Sequence, residues 1–145
     1  MSDIKKYNEF INESFNSSTP NGNELGSLFL KLLAIRDQSH IFHWQTNSFA
    51  QHSAFGEFYD TFLDEVDAMV EMIMGLKGRP SFGTASIELS DYSEVAIQEF
   101  LNRTYTVLKS DLKEVLSEEV HEEIFDQARL IIACVDKLQY LLTLS

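Results

Sequence analysis

Residues 43–71 read HWQTNSFAQHSAFGEFYDTFLDEVDAMVE, and this stretch decides the fold. From Phe55 onward the apolar positions Phe55, Tyr59, Phe62, Leu63, Val66, Val70 and Ile73 recur by threes and fours. That period predicts a long amphipathic helix over about 49–77. The acids Asp60, Asp64, Asp67 and Glu71 run along one flank of the stripe. Six acids and no base fall between Glu57 and Glu71. Like charges one turn apart destabilise an isolated helix, so a cation or a neighbouring chain is expected to offset them. Two imidazoles, His43 and His52, precede the acids across a short turn.

Working outward, residues 24–46 predict a first helix with the stripe Leu25, Leu28, Phe29, Leu32 and Leu33. Continued by threes and fours, that stripe reaches Arg36, His40 and His43. Polar groups on a core-facing side must be paired, and Asp64 or Asp67 is an available partner for Arg36. After Lys77, Gly78, Pro80 and Gly83 mark a crossover loop to about Asp91. A third helix is expected over about 92–114, with Ser93 as a cap and the stripe Ile97, Phe100, Leu101, Thr104, Leu108 and Leu112. A fourth is expected from about Ser117, with an acidic first turn. Its stripe is Ile124, Phe125, Ala128, Ile131, Ile132, Val135, Leu138 and Leu142. Four helices with mostly short links predict an all-α antiparallel four-helix bundle over 24–145. Residues 1–23 read as an arm and linker: Ile4, Tyr7, Phe10, Ile11 and Phe15 sit at helical spacing, ahead of the loop 16–23.

The chain has 145 residues and a net charge of −12, from 23 acids and 11 bases. That balance repels a phosphate backbone and argues against nucleic-acid binding; it suits attraction of cations. Cys134 is the single cysteine, which excludes an internal disulfide and fits a reducing cytoplasm. No secretory signal or membrane-length apolar run is evident.

Imidazole nitrogens and carboxylates together make a donor set for a transition metal such as iron. His52 and Asp67 are fifteen residues apart, roughly 20 Å along one helix. One chain does not easily bring all four donors to one ion. A two-fold dimer with antiparallel second helices does.

With these residues the segment resembles the Dps family of mini-ferritins, dodecameric shells that oxidise Fe(II), usually with hydrogen peroxide. In that family a His-Trp pair closes the first helix and a second His opens the next. An Asp follows fifteen residues later and a Glu four beyond it, the spacing of His52, Asp67 and Glu71 here. The resemblance implies a ferritin-like bundle and a homo-oligomer, a dimer as the minimum and a dodecamer if the family's shell is kept. It implies a mono-iron or di-iron ferroxidase site between subunits, with His43 and His52 from one and Asp67 and Glu71 from its mate. Trp44 matches the tryptophan beside that site. The chain departs from the family at Gly56, where an Asp ligand is expected; Glu57 or Asp60 is the candidate replacement. The turn between His43 and His52 is also shorter.

Each feature alone has a structural explanation. A His-Trp pair at a helix end is commonly packing, an acidic flank is commonly solvated, and His121 beside Glu122 reads as surface. Their joint spacing carries the metal reading. The alternative is a redox-inactive bundle serving as a structural or binding protein. A second resemblance concerns residues 5–15, KKYNEFINESF, which are similar to N-terminal peptides of T-even-type bacteriophage head proteins. Ile11-Asn12-Glu13 before Ser14 resembles their prohead protease sites. That implies a phage-encoded protein, trimmed after Glu13 and located in the virion rather than the cytoplasm.

Overall fold

The computed structural model describes residues 22–145. The predicted arm, with its Lys5-Lys6 pair and the site after Glu13, lies outside the described residues.

Helix α1 spans Glu24–Gln45; Asn23 caps it by accepting from the Gly26 amide at 2.9 Å. Helix α2 spans Phe49–Lys77, capped by Ser48 and ended by Gly78 at φ 86°, a conformation that favours glycine. Helix α3 spans Glu94–Thr106, with Ser93 accepting from Ala96 at 2.9 Å. It passes through a π-helical turn, Val107–Asp111, into the short α4, Leu112–Val115. Helix α5 spans Glu122–Leu142. No strand element occurs among the described residues, and no helix is long and apolar enough to cross a membrane.

The crossover between α2 and α3 runs the whole length of α1. Asn23 at the start of α1 donates its amide to the Ser81 carbonyl at 2.8 Å. In the middle, the Gln38 amide pairs with both backbone groups of Ser90, at 2.8 and 2.7 Å. At the far end the Gln45 side chain holds Asp91 and the Tyr92 amide. Helix α3 therefore starts beside the end of α1 and runs antiparallel to it, in the same direction as α2. Helix α2 packs on α1 and α5, and α3 packs on the same two. The result is an up-down-down-up bundle in which every neighbouring pair is antiparallel.

All four helices feed one core. Near the α1–α2 turn it is aromatic: Phe42 lies 5.5 Å from Phe55 and 5.7 Å from Phe100, centroid to centroid. The stripe of α1 differs from the expected one. It continues through Ile35 and Phe42, both fully buried, while Leu33 is 37 % exposed. Arg36 is half-buried and pairs with its neighbour Asp37 at 2.9 Å, not with Asp64 or Asp67. On α2, Phe58 and Met69 are buried and Leu63 is 37 % exposed. Steps of three and four from Leu32 equally reach Ile35, Ser39 and Phe42, all buried; which of two adjacent rows faces the core is set by how the helices cross.

The fourth helix begins five residues later than expected. Leu116 must turn extended (φ −134°, ψ 141°) to bury its side chain at 3 % exposure, and this breaks the helix. Glu118 is then drawn to Lys113 and Arg129, and His121 becomes the cap residue of α5. In the third helix, the π turn places both Val107 and Leu108 in the core and lets Asp111 reach Lys31 at 3.0 Å. One extra residue per turn is the usual geometry of such a bulge.

Tyr105 joins α3 to α5. Its hydroxyl donates to Asp136 at 2.5 Å, and burial, the hydrogen bond and the Asp136 charge push its pKa up to about 12. The unfolded chain deprotonates first, near the ordinary value of 10. The stabilisation is thus whole below pH 10 and is lost as pH rises through about 12. Urea titrations are expected to show the native chain losing stability relative to Tyr105→Phe across that window. Parallel curves would refute it.

Candidate functional site

The last turn of α1 and the first turn of α2 are joined by Thr46, Asn47 and Ser48. Gln51 braces this link by accepting from Thr46 Oγ1 at 2.7 Å and from the Tyr92 hydroxyl at 2.8 Å. The brace holds His43 and His52 face to face. Their rings stack at 3.8 Å with planes 17° apart.

Each imidazole is tied to the other's backbone. His43 Nδ1 lies 2.7 Å from the His52 carbonyl, and His52 Nδ1 lies 2.8 Å from the His43 carbonyl. A carbonyl only accepts, so both Nδ1 atoms carry the proton. In the neutral rings both lone pairs then reside on Nε2. This is the tautomer a metal-binding histidine needs, fixed by the backbone contact that commonly fixes it. The ring planes are nearly parallel, so the two lone pairs do not converge on one point.

More aromatic groups surround the pair. Tyr59 meets the His43 ring edge-on at 5.3 Å and stacks on His40 at 4.2 Å. Trp44 is 66 % exposed and lies 4.2 Å from His40. In the sequence His40 is only a continuation of the α1 stripe; its place in this cluster follows from the pairing of α1 with α2.

Gly56 lies directly against the His43 ring. A Cβ there would lie 3.0 Å from His43 Cε1 and 3.3 Å from Nδ1. These contacts are tight, so a side chain at 56 requires the His43 ring to shift by a few tenths of an ångström. Gly56→Ala would gain about 1 kcal/mol of helix propensity and lose a similar amount by displacing a ring hemmed in by His52, Tyr59 and His40. The expected result is stability unchanged within about 1 kcal/mol and shifted imidazole NMR signals of His43 and His52. Unperturbed signals would remove the contact from the account.

The acidic candidates lie elsewhere. Asp60, Asp67 and Glu71 are exposed on α2, with Asp67 roughly 20 Å along the helix from His52. Glu57 reaches across to Lys137 on α5 and accepts from its ammonium group, which holds the lysine above its ordinary pKa. Glu57 is thus turned toward α5. His121 is at the opposite end of the bundle, because α3 leads away from the histidine pair. Among the described residues no three His, Cys, Asp or Glu side chains form a metal-holding group. Within one chain the imidazoles and the Asp67–Glu71 pair stay apart, in line with the distance read from the sequence.

Fold and site define an all-α four-helix bundle with a tautomer-locked histidine pair at one interhelical turn and an acidic ridge along its second helix. The chain belongs to DUF5856, a family of unknown function, whose match covers residues 43–142 and so begins at the histidine pair. No curated protein and no solved structure matches it.

Proposed function

We propose that this protein is a ferritin-like bundle that binds Fe(II) as a substrate between two-fold-related subunits and oxidises it, with dioxygen or hydrogen peroxide as the electron acceptor. His43 and His52 come from one subunit, and Asp67 and Glu71 from its mate. The observation that carries this reading is the reciprocal bond between each His Nδ1 and the other's carbonyl, which leaves both Nε2 atoms as donors. The single long crossover is the connection that ferritin-like bundles use. The acids on α2 are exposed, as a site completed by a second subunit requires. The nearly parallel rings offer two separate nitrogen donors, so one ion is held by one ring, or by both after one ring swings. The donor set is mixed nitrogen and carboxylate, which suits iron. No protein nucleophile takes part; the residues hold the ion, and the acidic flank attracts it.

The test is aerobic Fe(II) addition to metal-free protein, following ferric absorbance against buffer. Acceleration supports the reading; its absence with both oxygen and peroxide refutes it. A second reading is a redox-inactive bundle with a structural or binding role, in a phage particle or a cell. It is favoured by the tight contact of His43 with Gly56 and by the diversion of Glu57 to Lys137.

A further inference from the structure

Gln45, the last residue of α1, and Gln51, in the first turn of α2, flank the histidine pair: His43 stands two positions before the one and His52 directly follows the other. One residue from outside the turn bonds to both. The Tyr92 amide donates to Gln45 Oε1 at 2.6 Å, and the Tyr92 hydroxyl donates to Gln51 Oε1 at 2.8 Å. Its ring meets that of Phe42, the residue before His43, edge-on at 6.3 Å. Tyr92 thus straddles the end of α1 and the start of α2.

Tyr92 is itself held from both sides. Before it, Asp91 accepts from the Gln45 side-chain amide at 2.8 Å, and Ser90 binds Gln38 through both backbone groups. After it, Ser93 caps α3 by accepting from the Ala96 amide. Tyr92 therefore does not follow the α1–α2 turn when the turn moves. Among the described residues, the remaining polar contacts of Thr46 and Ser48 are internal to the turn. Thr46 Oγ1 accepts from the Ser48 amide at 3.1 Å and donates to Gln51, and Ser48 Oγ accepts from the Gln51 amide. Gln51 also donates to Ser145 Oγ, at a longer 3.3 Å. Bonds inside the turn travel with it, whereas a bond to an anchored residue holds it in place.

The imidazole bonds depend on that placement. Each Nδ1–H crosses from one helix to a carbonyl of the other, at 2.7 and 2.8 Å. A slide of about 1 Å between the helix ends takes both contacts out of hydrogen-bond range. A neutral imidazole released to water carries its proton mainly on Nε2, and that nitrogen is then lost as a donor. We propose that Tyr92 is a positioning residue for the histidine pair. By bonding to Gln45 and Gln51 together it fixes the separation at which both Nδ1 protons stay on the carbonyls and both Nε2 lone pairs stay available. This is a property of the metal-free chain; its bearing on iron rests on the reading proposed above.

The test is the exchange of the two imidazole Nδ1 protons with water, followed by NMR on the metal-free full chain labelled with ¹⁵N-histidine. Tyr92→Phe keeps the ring and the backbone bond to Gln45 and deletes only the bond to Gln51. Both Nδ1 protons should then exchange about two- to ten-fold faster than in the unmodified chain, the range that one hydrogen bond transmits. Tyr105→Phe is the control for a merely structural effect. It also removes a hydroxyl bond, between α3 and α5, and should leave imidazole exchange unchanged. Gln51→Leu should speed exchange as Tyr92→Phe does, and combining the two should add nothing further. Unchanged exchange in Tyr92→Phe overturns the proposal. So does an equal acceleration in Tyr105→Phe, and so do additive effects of Tyr92→Phe and Gln51→Leu. Failure of the unmodified chain to bind Fe(II) in calorimetry refutes the iron reading alone, because the exchange is measured without metal.

Discussion

Asp67→Ala together with Glu71→Ala is expected to reduce aerobic Fe(II) oxidation to the buffer rate and to abolish tight iron binding. Helical content should be unchanged. Both side chains are exposed on α2, and neither takes part in the core. Their removal relieves repulsion along the acidic flank, so the bundle should be no less stable. The effect on iron should be large. Loss of an outer-shell partner already costs ten- to a hundred-fold in metal affinity, and loss of two direct carboxylate ligands should cost more than about a hundred-fold. The readouts are ferric absorbance, iron-binding calorimetry and far-ultraviolet circular dichroism on the same preparation. Undiminished oxidation in the double variant would refute the assignment of these two residues. A matching loss in His52→Ala, within a dimer or larger assembly, would tie the acids to the imidazoles across subunits. A monomer that still oxidised iron would mean that the site lies within one chain.

The second large effect is on stability. Gly26→Ala is expected to destabilise the fold by roughly 2 kcal/mol, lowering Tm by roughly 5–10 °C. A Cβ at Gly26 would lie 2.0 Å from the Ser81 carbonyl oxygen and 2.8 Å from its carbon. Both are backbone atoms and cannot rotate aside. Making room pushes the crossover off the start of α1 and strains the two Asn23–Ser81 hydrogen bonds. Overpacking of this kind costs about 1–3 kcal/mol and a disturbed cap about 1 more. Against this stands about 1 kcal/mol from replacing a helical glycine. Gly75→Ala is the internal control, because nothing lies within 4 Å of a Cβ there. It should stabilise by up to about 1 kcal/mol. If urea midpoints moved in the same direction for both variants, the close approach at Gly26 would carry no weight.

The helix boundaries were legible where a cap and a period agree. Asn23, Ser48 and Ser93 each accept from a first-turn amide, and Gly78 ends α2 at a positive φ. The boundary missed was that of α5, where Ser117 and two glutamates imitate a capped acidic first turn. The decision there belongs to Leu116, whose burial in a core assembled from distant residues breaks the helix. The same holds for Gln38, a polar residue in the middle of α1 whose partner, Ser90, is fifty-two positions away.

Residue types, their spacing and the charge were determined by the sequence alone. They established an all-helical bundle, the acidic ridge of α2, and the separation of His52 from Asp67 along one helix, since all of these follow from local periodicity and a fixed rise per residue. The tertiary structure alone decided what the histidines do. Their stacking, the tautomer imposed by two backbone carbonyls and the tight contact of His43 with Gly56 all require α1 to fold back on α2. So does the exposure of two stripe residues: Leu33 and Leu63 look like core in a one-dimensional pattern, and the angle at which the helices meet leaves them outside it. Contacts between elements depend on how faces meet, and that is set by the whole core at once.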